Sequence, residues 1–159
     1  MASRAPWDAA EAQALIAARQ SEPGAMLPIL HDLLDRYGYI DDAAIPLIAE
    51  ALNVSKAETL GVVSFYHDFR RTPVDGPVLK LCRAESCQAA GCEDLVAHLR
   101  ERHGVEVDAH GRSALTVETV YCLGHCALSP AALIDGRPLG RLTPESLDAL
   151  VAQTRSALS

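Results

Sequence analysis

The chain has 159 residues, of which 49% are hydrophobic, enough for a real core in one domain or two small ones and no case for disorder. Its formal net charge of -7 splits as 6 basic against 11 acidic residues up to Gly76 and 8 against 10 afterwards, which argues against a nucleic-acid backbone as partner. No run approaches the roughly 18 apolar residues needed to cross a bilayer, and the opening MASRAPWDAAEAQ lacks a secretory layout, so a cytoplasmic chain without membrane insertion is expected.

From Asp8 to about Arg71 the apolar periodicity is helical. A first helix is predicted over residues 8 to 20. MLPILHDLLDRYG then carries Leu27, Leu30, Leu33, Leu34 and Tyr37 at the three-and-four spacing of one buried face, with Gly38 as the C-terminal cap. Asp41 or Asp42 caps a third helix bearing Ile45, Leu47, Ile48, Ala51 and Leu52, and Pro46 lies near enough its first turn to be tolerated. In SKAE, Ser55 and Glu58 form a capping box, each side chain satisfying the other residue's backbone N–H, and the fourth helix, AETLGVVSFYHDF, follows. Four short amphipathic segments with tight links describe a helical bundle, assigned to residues 1–75. The first twenty residues are expected to order on assembly. Phe65, Tyr66 and Phe69 are either partner anchors or ordinary core. Trp7, His31, Tyr66 and His67 are given no catalytic role.

At TPVDGP, residues 72 to 77, turn formers mark a boundary. Beyond it VLKLC alternates like a strand, CEDLVAHLRERHG reads as a helix ended by Gly104, and LTVETVYC returns to strand character. AALIDGRPLGRL is a hairpin turning at Asp135 and Gly136. The last helix has Thr143 as N-cap, Pro144 at its first position, and Leu147, Leu150 and Val151 on its apolar face. Residues 76–159 therefore form a small α/β sandwich of thioredoxin-like type, and the whole chain is α+β.

Five cysteines are an odd number, and closely spaced thiols in a reducing compartment read as metal ligands or redox groups rather than structural disulfides. Cys82 and Cys87 follow the first strand with four residues between them. Cys122 and Cys126 lie in YCLGHCALSP with three between, and 34 residues separate the pairs. Brought together from two loops at one end of a sheet, they make a four-thiolate site. Tetrahedral sulfur suits zinc or an iron–sulfur cluster, and geometry alone does not choose. Structural zinc knuckles usually place two residues between paired cysteines, so spacings of four and three favour a two-iron cluster, each pair binding its own iron. Zinc and thiol redox chemistry remain open, although a thioredoxin-type oxidoreductase would need a CxxC that is absent here. No glycine-rich nucleotide motif occurs anywhere in the chain.

CRAESC followed by CLGHC, behind LPILHDLLDRYGYIDDAAIPLIAEALNVSKAETLGVVSFYHDFR, resembles the 24 kDa-type subunit of respiratory complex I. The same subunit recurs in bidirectional NAD-linked hydrogenases and NAD-dependent formate dehydrogenases, and the resemblance runs from about Ala25 to Leu150. It implies a helical bundle, a thioredoxin-like domain, and one [2Fe-2S] cluster whose ligands here are Cys82, Cys87, Cys122 and Cys126. It implies further that FMN and NAD sit on a partner subunit and that this chain relays or stores single electrons without transforming a substrate. CRAESCQ is most similar to the gamma subunit of soluble molybdenum-containing formate dehydrogenases, since complex I and hydrogenase relatives tend to have a glycine–threonine pair between the first two cysteines. A larger molybdenum- and iron–sulfur-containing catalytic subunit is then a second partner. The equivalent subunit of a hydrogenase or of complex I is the alternative, and a zinc-stabilised interaction module is the alternative of a different class.

Cys92 stands outside the ligand set and reads as a small buried residue at a helix start, with a substitute ligand as its rival reading. His125 reads as a neighbour of the site rather than a ligand of the Rieske kind. Arg83 is placed to favour the reduced cluster, or else is an ordinary solvated arginine. Gly124 gives the second loop backbone room, and Pro130 fixes its exit.

Overall fold

A computed structural model describes residues 5–74, 76–109 and 115–156. The chain separates into two compact units, Met1–Pro73 and Val74–Ser159.

The first unit consists of α1 (Ala9–Arg19), α2 (Met26–Tyr37), α3 (Ala44–Leu52) and α4 (Lys56–Phe65). Asp8 caps α1 by accepting the Glu11 N–H at 2.8 Å. Gly38 ends α2 in the left-handed conformation, its N–H on Leu34 O at 2.7 Å. Ser55 and Glu58 make the capping box of α4. Ile29, Leu30, Leu33, Tyr37, Ile40 and Ile48 fill the centre, while Leu27 and Leu34 lie at its margin. Ala12 and Ile16 are buried in the same cluster, so residues 9 to 19 are already packed as a helix, contrary to the expectation that the first twenty residues order on assembly.

Two helix ends differ from the sequence reading. Neither aspartate caps α3: the cap position is Ala43 with no side-chain bond, Asp41 Oδ1 accepts the Ala43 N–H at 2.8 Å just before it, and Asp42 pairs with Arg71. The fourth helix stops at Phe65 because Tyr66 takes an extended backbone, φ -92 and ψ 109. Phe69 therefore returns into the core through a turn, whereas Phe65 stays 74% exposed.

The second unit is built on a four-stranded mixed sheet of order β2-β1-β3-β4, with β1 (Val78–Cys82), β2 (Thr116–Val120), β3 (Ala132–Ile134) and β4 (Arg137–Leu139). β1 pairs parallel with β2 and antiparallel with β3, and β3 turns into β4 through Asp135 and Gly136. Both turn residues have positive φ, 44 and 81, as a two-residue hairpin matching strand twist requires. The crossover from β1 to β2 carries α5 (Glu85–Ala89) and α6 (Cys92–His103), and α7 (Pro144–Ser156) follows β4. Leu95 and Leu99 of α6 and Leu147, Leu150 and Val151 of α7 join Leu79, Leu81, Val117 and Ala132 of the sheet in one buried cluster. Full burial of each large aliphatic side chain contributes about 1.5–3 kcal/mol, which makes this layer the platform for the loops beyond the strand ends. Thr143 caps α7, its Oγ1 accepting the Ser146 N–H at 3.3 Å.

Candidate metal centre

Parallel pairing of β1 with β2 sets the first cysteine loop beside the second. Cys82 ends β1, 3% exposed, with its N–H on Ala131 O at 3.0 Å, and Arg83 N–H reaches Val120 O at 2.9 Å. The chain then turns into α5, which carries the buried Cys87; Gln88 Nε2 donates to Arg83 O at 2.9 Å and closes this turn. The sequence reading left Cys87 in an open loop, because a five-residue helix has no periodicity to detect.

The second loop follows β2, which ends at Val120 rather than at residue 122. Cys122 has φ 75 and Gly124 φ 76. A left-handed backbone suits the glycine, but at Cys122 it is strained, a condition held only where the surroundings fix the residue. Cys126 opens a 3-10 turn to Leu128, and the Ser129–Pro130 peptide is cis. Gly140 supports this turn from below: a Cβ there would stand 2.6 Å from Leu128 Cβ, and the neighbouring Arg141 N–H binds Leu128 O at 2.7 Å.

The sulfurs meet in two pairs. Cys122 Sγ lies 3.8 Å from Cys126 Sγ. Cys82 Sγ is hydrogen-bonded by Cys87 and by backbone N–H groups of both loops: burial pushes its thiol up, but the N–H of Ala84, the Cys87 thiol and the N–H groups of Cys122 and Leu123 together bring it below its ordinary value. Cys126 moves the other way, raised first by its hydrogen bond with Cys122, then by that neighbour's charge, and further by Cys87 and Cys82. Four thiolates so placed repel one another and are stabilised together by a bound cation. Among the described residues no three cysteine sulfurs lie within 4.8 Å of one another. A single zinc at about 2.3 Å would put all four roughly 3.8 Å apart. Cys82 and Cys87 are buried and Cys122 and Cys126 exposed, and the 3.8 Å between the exposed pair suits two thiolates on one metal ion.

Two serines that sequence reasoning passed over tie the loops together. Ser86 Oγ and Ser129 Oγ are 2.8 Å apart, both reach Cys126 O, and Ser129 Oγ lies 3.4 Å from Cys87 Sγ. Their only signal was position, one residue before Cys87 and three after Cys126.

The structure also places the remaining candidates. Cys92 is fully buried at the start of α6, and its thiol is pushed up to about 11 by burial, then by the charges of Glu93 and Cys87. Arg83 is not a free solvated charge. It makes a bidentate pair with Glu93, both contacts 2.8 Å, so its field at the cysteines is largely neutralised. His125 Nδ1 bonds Leu123 O at 2.9 Å, and Pro130 is buried at the loop exit.

Comparison with known proteins shows the family. NADH-quinone oxidoreductase subunit 2 of Thermus thermophilus is 32% identical over 136 residues, 83% of this chain and 74% of that protein. NADP-reducing hydrogenase subunit HndA of Solidesulfovibrio fructosivorans is 25% identical over 131 residues, covering 82% and 77% of the two chains. An NAD+-reducing [NiFe]-hydrogenase in the air-oxidized state superposes with a TM-score of 0.70 at 27% identity, over 89% of this chain but only 24% of that one. The thioredoxin-like [2Fe-2S] ferredoxin pattern matches residues 12–155, so helices, mixed sheet and paired thiols all fall within it, and the chain belongs to the thioredoxin-like [2Fe-2S] ferredoxin family.

Proposed function

We propose that Cys82, Cys87, Cys122 and Cys126 hold the family's [2Fe-2S] cluster, and that the chain is the electron-transfer subunit of a cytoplasmic NAD-dependent formate dehydrogenase. The observation that carries the ligand assignment is the meeting of the sulfurs in two pairs from two separated loops. When bound, such a cluster exchanges one electron at a time. The protein's own part is to hold it and to set its surroundings. Backbone N–H groups of Ala84, Cys122 and Leu123 point at the Cys82 sulfur and favour negative charge there. With Cys87 as a thiolate ligand, the single Ser129 hydroxyl proton goes to its sulfur in place of Cys126 O, and Ser129 Oγ accepts from Ser86 Oγ.

The buried Cys82–Cys87 side is shielded, whereas Cys122 and Cys126 are exposed beside Tyr121 and Leu128. Electrons therefore enter and leave on the Cys122–Cys126 side, from the flavin of a partner that also binds NAD. The helical bundle of residues 1–75 is the docking element, with Phe65 and Tyr66 as its exposed aromatics. The formate assignment rests on the resemblance of CRAESCQ, with Ala84, Glu85 and Ser86 between its cysteines, to the gamma subunit of molybdenum-containing formate dehydrogenases. A second reading, the equivalent subunit of an NAD-linked hydrogenase or of complex I, is favoured by the names of the relatives above.

The assembled complex separates these readings. Purified with its partner subunits, including a molybdenum-containing one, it should reduce NAD with formate and be inert to hydrogen. Reduction by hydrogen with formate inert moves the chain to the hydrogenase reading, and quinone-linked NADH oxidation moves it to complex I.

A further inference from the structure

We propose that His98, His103 and Asp148 form a second metal site, independent of the cysteines, for a divalent first-row transition ion of which zinc is the type. The site clasps α6 to α7. His98 Nε2 and His103 Nε2 each lie 2.6 Å from the same oxygen, Asp148 Oδ1, and the three ligand atoms all fall within 4.8 Å of one another. Two imidazoles and a carboxylate are the donor set that zinc, iron, nickel and copper take in proteins, and three protein ligands leave a fourth position for water. The side chains are 22%, 11% and 33% exposed, so the ligands are held by packing yet open to an ion on one side.

The surroundings prepare the carboxylate. Arg102 Nε binds the other oxygen, Asp148 Oδ2, at 3.2 Å, which fixes the group and leaves Oδ1 to the two rings. Glu145, one turn earlier on α7, is close enough to interact with both His98 and Asp148 and adds negative charge. Arg155 donates to the His103 carbonyl oxygen at 3.1 Å. Zinc bonds of about 2.0–2.2 Å place neighbouring ligand atoms near 3.4 Å apart, so each imidazole draws back by less than about 1 Å to admit the ion. The competing arrangement is a clasp in which both rings merely donate Nε2–H to Oδ1.

A glutamine at His103 separates the two, because its amide still donates to Asp148 but is a poor zinc ligand. The full chain, loaded with iron and sulfide so that its cysteines are occupied, is dialysed against micromolar zinc and its metals are counted. One zinc per chain is expected, weakened by more than about tenfold in His103→Gln and in Asp148→Asn, since loss of even an outer-shell partner typically costs that much. Zinc should also raise the melting temperature of the parent chain and leave that of His103→Gln unchanged. Should either variant fail to fold, X-ray absorption at the zinc edge of the parent chain decides, with nitrogen ligands at about 2.0–2.1 Å as the expected result. No bound zinc, equal zinc in parent and variants, or zinc surrounded by sulfur alone overturns the proposal.

Discussion

Ser86 Oγ and Ser129 Oγ stand 2.8 Å apart although 43 positions separate them, and both lie within hydrogen-bonding distance of the Cys126 carbonyl. This link locks the loop carrying Cys87 to the loop carrying Cys126, and Ser129 also reaches the Cys87 sulfur. Replacing Ser129 with alanine removes a donor that favours the more negative, reduced site. The midpoint potential should fall, by up to about 60 mV if the lost bond is worth 0.5–1.5 kcal/mol. A redox titration followed by EPR measures this, and an unchanged or raised potential would count against the assigned role of Ser129.

Gly140 is a second support outside the cysteine motifs. In Gly140→Ala the new Cβ would sit 2.6 Å from Leu128 Cβ, in the turn that Cys126 begins. Overpacking of this kind costs about 1–3 kcal/mol, and here it pushes on a ligand loop. The variant should lose its visible colour in air faster than the parent chain while keeping the far-ultraviolet dichroism of a folded protein. Equal rates of bleaching would show that the loop yields without disturbing the site.

The platform beneath the loops has its own test. Leu99 on α6 is fully buried in the cluster that joins α6 and α7 to the sheet. Leu99→Ala should destabilise the second unit by about 2–5 kcal/mol, the lost transfer energy plus the cavity left behind. Urea denaturation of the full chain gives the number, and a loss below about 1 kcal/mol would mean that the site collapses freely.

The bundle has a pH-dependent element at the start of α4. The Ser55 backbone N–H, and after it the Ser55 hydroxyl, hold the Glu58 carboxyl below its ordinary value of 4.5. Because the value in the fold is depressed, the contribution to stability is full above pH 4.5 and is lost as pH falls through the lower value. Glu58→Gln should therefore narrow the difference in stability between neutral solution and solution below pH 4.5, without inverting it. Thermal melts of both proteins across that range provide the comparison.

Much of this was legible in the sequence because the signals were local. Gly38, the Ser55–Glu58 box, the Asp135–Gly136 turn and the two cysteine spacings each depend on residues at most five positions apart. What escaped depended on distant partners or on short elements. The five residues of α5 have too few turns to show a period, and the end of α4 at Phe65 follows from the backbone of Tyr66 rather than from a helix breaker. The Arg83–Glu93 pair, the Ser86–Ser129 link and the convergence of His98 and His103 on Asp148 all require the fold before they exist. Of the proposed site, the four cysteines were legible as candidates from their spacing, whereas Ser86 and Ser129 were not.

The most direct test of the account is iron, acid-labile sulfide and zinc analysis of the purified full chain, with its visible spectrum recorded before and after dithionite. Two irons and two sulfides per chain are expected, with absorption that bleaches on reduction and disappears in Cys122→Ala. A colourless chain holding its cysteines on one zinc without sulfide, or colour that survives the loss of Cys122, would contradict it.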